Sequence, residues 1–163
     1  MLSTMSLPMP LVYSPAIDLD IEEWVLGPST NISNELGKPI LVKVFQVNCP
    51  GCFTHGIPEI LEIKNKFSDS PLLIWGLATA FEDFHLNNSE NLRRLVESGE
   101  VVGETLEVLG AKGFLNNNRL DYPISFPVAL DNVVPYQPSD YLLEAQKFIK
   151  RDFPQFDSFP VKN

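Results

Sequence analysis

Ile40-Leu41-Val42-Lys43-Val44-Phe45-Gln46-Val47-Asn48-Cys49-Pro50-Gly51-Cys52 is the stretch from which the rest of the chain is read. Its first eight residues are mostly apolar and rich in β-branched side chains, the composition of a buried strand over Ile40–Val47. Cys49 and Cys52, the two cysteines of the chain, follow at once in a C-x-x-C. After them Phe53, Ile57, Ile60, Leu61 and Phe67 recur at helical spacing. A strand running straight into a helix puts Cys49 at the helix N-terminus, where unpaired N–H groups and the helix dipole favour an anion. The Cys49 thiolate is thereby stabilised and becomes the nucleophile. Two intervening residues bring Cys52 back within disulfide reach. Pro50 suits a first helical turn, since its missing N–H would have no partner there. Gly51 leaves room for a substrate backbone.

Three chemistries fit such a pair: a redox-cycling dithiol, an inert buried pair, or part of a zinc site. Zinc wants four ligands in most structural sites. Cys49, Cys52, His55 and His85 are the whole cysteine and histidine supply, with no second C-x-x-C and no H-x-x-x-H. Redox chemistry is the expectation, with Cys49 attacking and Cys52 resolving. Such a reaction needs no bound cofactor, because the electrons sit on the dithiol. It implies a protein or small-molecule disulfide as substrate and a separate electron donor. His55 and His85 are expected to be exposed side chains, and Phe45 and Phe53 either core residues or an apolar rim beside the dithiol.

Working outward, residues 1–16 read as an extended arm. Asp18 to Leu26 reads as a short helix or turn that packs Trp24, and the polar residues 29–39 as a loop. Gly56 and Pro58 interrupt the helix after the cysteines and predict a kink near residues 55–58. Leu72 to Ala80 is nearly continuous in apolar residues, as a parallel strand covered on both faces should be. Ser89 is expected to cap a helix with Leu92, Leu95 and Val96 inward, followed by a second helix over Val101 to Leu109 that stops at Gly110. Asn116-Asn117-Asn118 marks a turn. Ile124 to Leu130 is a third strand, with Pro127 pointing to an edge or a bulge. Ser139 opens a last helix. This alternation of strands and helices predicts an α/β layer protein with a mainly parallel sheet.

The net charge of −9 argues against nucleic acid and anionic membranes as partners. No run approaches the roughly 18 apolar residues of a membrane span. The first basic residue is Lys38, so a secretory n-region is missing and a cytoplasmic location is expected. A cytosolic pair of cysteines points to cycling or metal rather than to a permanent staple.

The segment 38–52, the following Ile57-Pro58-Glu59, and the later Phe126-Pro127-Val128-Ala129-Leu130-Asp131 together resemble the thioredoxin superfamily, and within it the redoxin or TlpA-like disulfide reductases. The resemblance implies a thioredoxin-like central sheet flanked by helices and thiol–disulfide oxidoreductase activity, with Cys49 attacking, Cys52 resolving and Pro50 and Gly51 shaping the motif. It implies an N-terminal extension over 1–37 and a domain over 38–163. Pro58 matches the family's helix-kinking proline but falls one residue further from the cysteines. Lys43 stands six residues before Cys49, where many thioredoxins carry a buried acid, so no acidic proton shuttle is implied. Nothing after Asp131 matches the family's cis-proline loop. The domain is therefore expected to lack that C-terminal hairpin and to expose a sheet edge that invites homodimerisation. Two alternatives stand beside the reductase. A peroxiredoxin-like thiol peroxidase would carry a Thr where Gln46 stands, and a non-catalytic thioredoxin-fold module would bind through the same surface.

Overall fold

Residues 16–133 are described by the structure, a computed structural model. The expected cap at Ser139 and the helix after it lie outside them. Among the described residues four strands form the main sheet: β1 (Ile21–Leu26), β2 (Ile40–Phe45), β3 (Leu73–Ala78) and β6 (Val128–Asp131), in the order β1-β6-β3-β2. Strand β3 is parallel to β2 and to β6, and β1 is antiparallel to β6. The connections carry three helices, α1 (Ile57–Lys66), α2 (Ser89–Ser98) and α3 (Gly103–Ala111). A two-stranded hairpin, β4 (Leu115–Asn116) and β5 (Arg119–Leu120), precedes β6. Among the described residues no helix is long and apolar enough to cross a membrane.

The apolar run at 72–80 behaves as a central strand must. Ile74 to Ala80 are all buried, with β2 on one side and β6 on the other. Gly76 sits in the middle because a Cβ there would meet the Phe126 and Phe45 rings at 3.0 and 3.1 Å. Helix α2 starts one residue away from expectation. Asn88, not Ser89, is its N-cap, with the Asn91 N–H donating to the Asn88 side chain at 2.9 Å. Leu92 and Leu95 face the core, and Gly99 ends the helix in the left-handed region, φ +73. Helix α3 runs through Gly110 to Ala111 rather than stopping at it. Asn117 and Asn118 both have positive φ, the geometry of a tight hairpin turn, and link β4 to β5.

Two further expectations are corrected. Asp18 to Leu26 is no helix or turn: Ile21–Leu26 is a sheet strand, and it comes from the stretch set apart as an N-terminal extension. Its pairing with β6 is bulged between Ile21 and Glu23 and between Trp24 and Leu26, which erases the alternation that marks a strand. The second concerns Pro127, expected at an edge or a bulge: the pairing is bulged beside it, where Trp24 and Leu26 face Ala129 and Val128, but the edge is overturned. Strand β6 lies inside the sheet, not at its edge, because β1 covers its outer side. Pro127 is tolerated there because it precedes the strand and offers only its carbonyl, which accepts from the Gly76 N–H at 2.8 Å.

Candidate functional site: the Cys49–Cys52 turn

Strand β2 ends at Phe45, and Gln46, Val47 and Asn48 carry the chain to Cys49. This short approach is held by side chains from far along the sequence. The Asn48 N–H donates to Asn87 Oδ1 at 2.7 Å, and Asn48 Nδ2 donates to Asp83 Oδ2 at 2.9 Å. Asn48 Oδ1 accepts from the Thr105 N–H at 3.3 Å, while Thr105 Oγ1 donates to the Val47 carbonyl at 3.2 Å. Gln46 Oε1 accepts from the Phe81 N–H and from Asn87 Nδ2, at 2.8 and 3.3 Å. Asn48, Asn87 and Thr105 are buried, and a polar network in that setting is rigid only when its members are paired. None of these braces was singled out from the sequence, since their partners lie 35 to 58 residues away.

Helical turns begin at Pro50. The Cys52 N–H donates to the Cys49 carbonyl at 2.9 Å, and the two Cα atoms stand 5.4 Å apart. The sulfurs are joined as a disulfide. Both cysteines are partly exposed, and Cys52 leans on the core. Gly51 is exposed, with nothing within 4 Å of where its Cβ would be. The surface over Gly51 is open, and its φ of −63 does not itself require glycine.

The kink expected at residues 55–58 takes the form of a π turn over Cys52–Gly56. A π turn is an α-helix holding one additional residue. It absorbs the one-residue offset of Pro58, which then lies in the first turn of α1, where a proline fits. Phe53 and Ile57 point from this turn into the core. The Phe45 and Phe53 rings meet edge to face, 6.1 Å between centroids, and both residues are buried, so they are core and not a docking rim. The exposed aromatics of this region are instead Phe81, 75% exposed, and Phe84, 53%, on the loop bonded to Gln46 and Asn48. Trp75 is core, edge to face with Trp24.

Lys43 runs beneath the π turn. A Cβ on Gly56 would lie 2.5 Å from Lys43 Nζ, so this glycine gives the lysine its path. His55 is exposed, and its Nδ1 is 2.7 Å from the hydroxyl of Thr54. His85 is exposed on the loop after β3. Among the described residues no group of three His, Cys, Asp or Glu side chains converges as a metal cluster would. Tyr122, which sequence reasoning passed over, donates its hydroxyl to the Phe53 carbonyl at 2.6 Å. Burial, and then the Asp121 carboxylate, push its phenol well above the ordinary tyrosine range.

A strand-to-helix turn that carries a bonded C-x-x-C, on a mixed sheet flanked by helices, defines an α/β protein of the dithiol class. No protein-family model matches the chain, and no curated protein does. Among solved structures, a thiol-disulfide isomerase from Corynebacterium glutamicum is 28% identical with a TM-score of 0.52, over 81% of this chain and 74% of its own. A thioredoxin-like superfamily protein is 25% identical with a TM-score of 0.50, over 72% of this chain and 62% of its own. The chain thus spans less than two thirds of the length of that second structure. The fold is that of the thioredoxin superfamily in its TlpA-like form, and with the Cys49–Cys52 pair it supports a redox function.

Proposed function

We propose that the protein is a thiol–disulfide oxidoreductase in which Cys49 attacks and Cys52 resolves. In the reduced form the Cys49 thiolate attacks one sulfur of a substrate disulfide. A mixed disulfide forms, and the other substrate sulfur leaves as a thiolate that takes a proton from solvent. Cys52 gives up its proton and attacks the Cys49 sulfur. The mixed disulfide breaks, the Cys49–Cys52 bond forms, and the substrate has gained two electrons. A thiol or dithiol donor then reduces the pair again.

The observation that carries this reading is the bonded pair at the start of a helix, partly exposed, with open space over Gly51. A seat among unpaired N–H groups favours the thiolate at Cys49. Cys52, half-sheltered against the core, suits the internal second step. The C. glutamicum neighbour described as a thiol-disulfide isomerase adds support from outside the chain.

Single substitutions test the assignment. Cys49→Ser is expected to abolish reduction of insulin disulfides. Cys52→Ser is expected to leave a lasting mixed disulfide on Cys49, visible as an added mass. Retained turnover in Cys49→Ser would overturn the proposal. Peroxide consumption resolved by Cys52, without disulfide reduction, would move it to a thiol peroxidase.

A further inference from the structure

Pro58 leaves one carbonyl of the dithiol helix without a backbone partner, and the register of the helix decides which one. In an α-helix the N–H of residue 58 would serve Thr54, four residues back; proline has none. In a π register the bond reaches back five residues, and the carbonyl left over is that of Phe53. The Ile57 N–H is bonded to the Cys52 carbonyl, its π partner. Phe53 has therefore lost Ile57 and cannot gain Pro58. The residue is only 2% exposed, so solvent is a poor substitute. The Tyr122 hydroxyl fills the vacancy at 2.6 Å, from 69 residues away.

We propose that Tyr122 is a positioning residue for the dithiol, its hydroxyl holding the π register of the turn that carries Cys52. The idea rests on Cys52 being the resolving thiol. One residue of helix corresponds to about 100° of rotation. Ile57 is fully buried and fixes the far end of the turn, so a change of register is taken up at Cys52. The Cys52 sulfur then no longer faces Cys49. With its phenol pushed above the ordinary range, Tyr122 stays a neutral donor throughout the pH range in which thiols exchange.

The test separates the two thiols in time. Reduced protein is mixed with an equal amount of the aromatic disulfide 5,5′-dithiobis(2-nitrobenzoate). Attack by Cys49 releases one coloured thiolate. Attack by Cys52 on the resulting mixed disulfide releases the second, so two electrons pass from the dithiol to the reagent. Tyr122→Phe is expected to leave the first phase within about twofold of the unsubstituted protein and to slow the second about fivefold or more, as stranding a buried carbonyl implies. Pro58→Ala restores the missing N–H, so in that background Tyr122→Phe is expected to change the second phase by less than about twofold, as one shared interaction requires. Equal slowing of both phases, an unchanged second phase, or the same penalty with Pro58→Ala would each overturn the positioning role. If Tyr122→Phe alone does not fold, the double variant decides. Recovery of folding and of the second phase supports the role, and failure to recover overturns it. An unsubstituted protein that releases one equivalent and never the second would overturn the two-thiol mechanism and the positioning role together.

Discussion

Asn48 shows how the site is held one residue ahead of its chemistry. Its side chain accepts the Thr105 N–H and donates to Asp83, and its own N–H is taken by Asn87. Asn48→Ala would strand the Thr105 N–H on a residue with no exposure. A loss of roughly 1–3 kcal/mol is expected, read as a lower urea midpoint at unchanged m-value. An unmoved midpoint would show that the network is replaceable by water. Tyr122 offers a second test at this scale. Its phenol is raised in the folded state above the ordinary tyrosine range, so its contribution is complete below about pH 10 and is lost as the pH climbs through the raised native value. Stability of Tyr122→Phe relative to the unsubstituted protein is therefore expected to be flat from pH 7 to 9, with the gap closing only at stronger alkali. A gap that closes below pH 9 would contradict this. Cys49 and Cys52 were legible in the sequence because their chemistry is local, a spacing of three residues. Asn48, Thr105 and Tyr122 were not, because a polar side chain carries no mark of a partner that folding brings from 57 or 69 residues away.

The irregular helix was foreseeable as an irregularity and not as a register. Gly56 and Pro58 announce a break, but only the bond from Ile57 to Cys52 identifies the π turn. Strand β1 escaped detection for a related reason. Ile21, Trp24 and Val25 sit at spacings that suit a helix, and the two bulges against β6 remove the two-residue period. Strand β3 was easy by contrast, since burial on both faces writes an unbroken apolar run. The approach to the dithiol also depends on how α3 begins. Gly103 has φ +56, and a Cβ there would stand 2.6 Å from Asn48 Oδ1 and 2.7 Å from Leu86 Cδ1. Gly103→Ala is expected to cost more than about 1 kcal/mol from backbone conformation alone, with the crowding of Asn48 in addition. Gly51→Ala, with φ −63 and no neighbour within 4 Å, is expected to stay within about 0.5 kcal/mol. Thermal melts of the two variants check the contrast, and equal losses would contradict the local geometry.

Across the whole sheet, the α/β alternation and the parallel pairing of β2 with β3 follow from the order of apolar runs and turns. The inner place of β6 does not, because it depends on β1 returning antiparallel from the other end of the chain. The sheet delivers β2 to Cys49, the core anchors Phe53 and Ile57 behind the turn, and the two cysteines remain partly exposed in front. Such an arrangement suits a pair that opens and closes without unfolding the domain. The most direct measurement is a redox titration of the Cys49–Cys52 couple, equilibrating the protein in thiol–disulfide buffers, quenching with an alkylating reagent and counting modified cysteines by mass. The expected result is one reversible two-electron transition in which both thiols appear together, at a potential within the roughly −270 to −120 mV spanned by known dithiol oxidoreductases. Cysteines that stay bonded across that range, or that become alkylated one at a time at separate potentials, would contradict a redox-active pair.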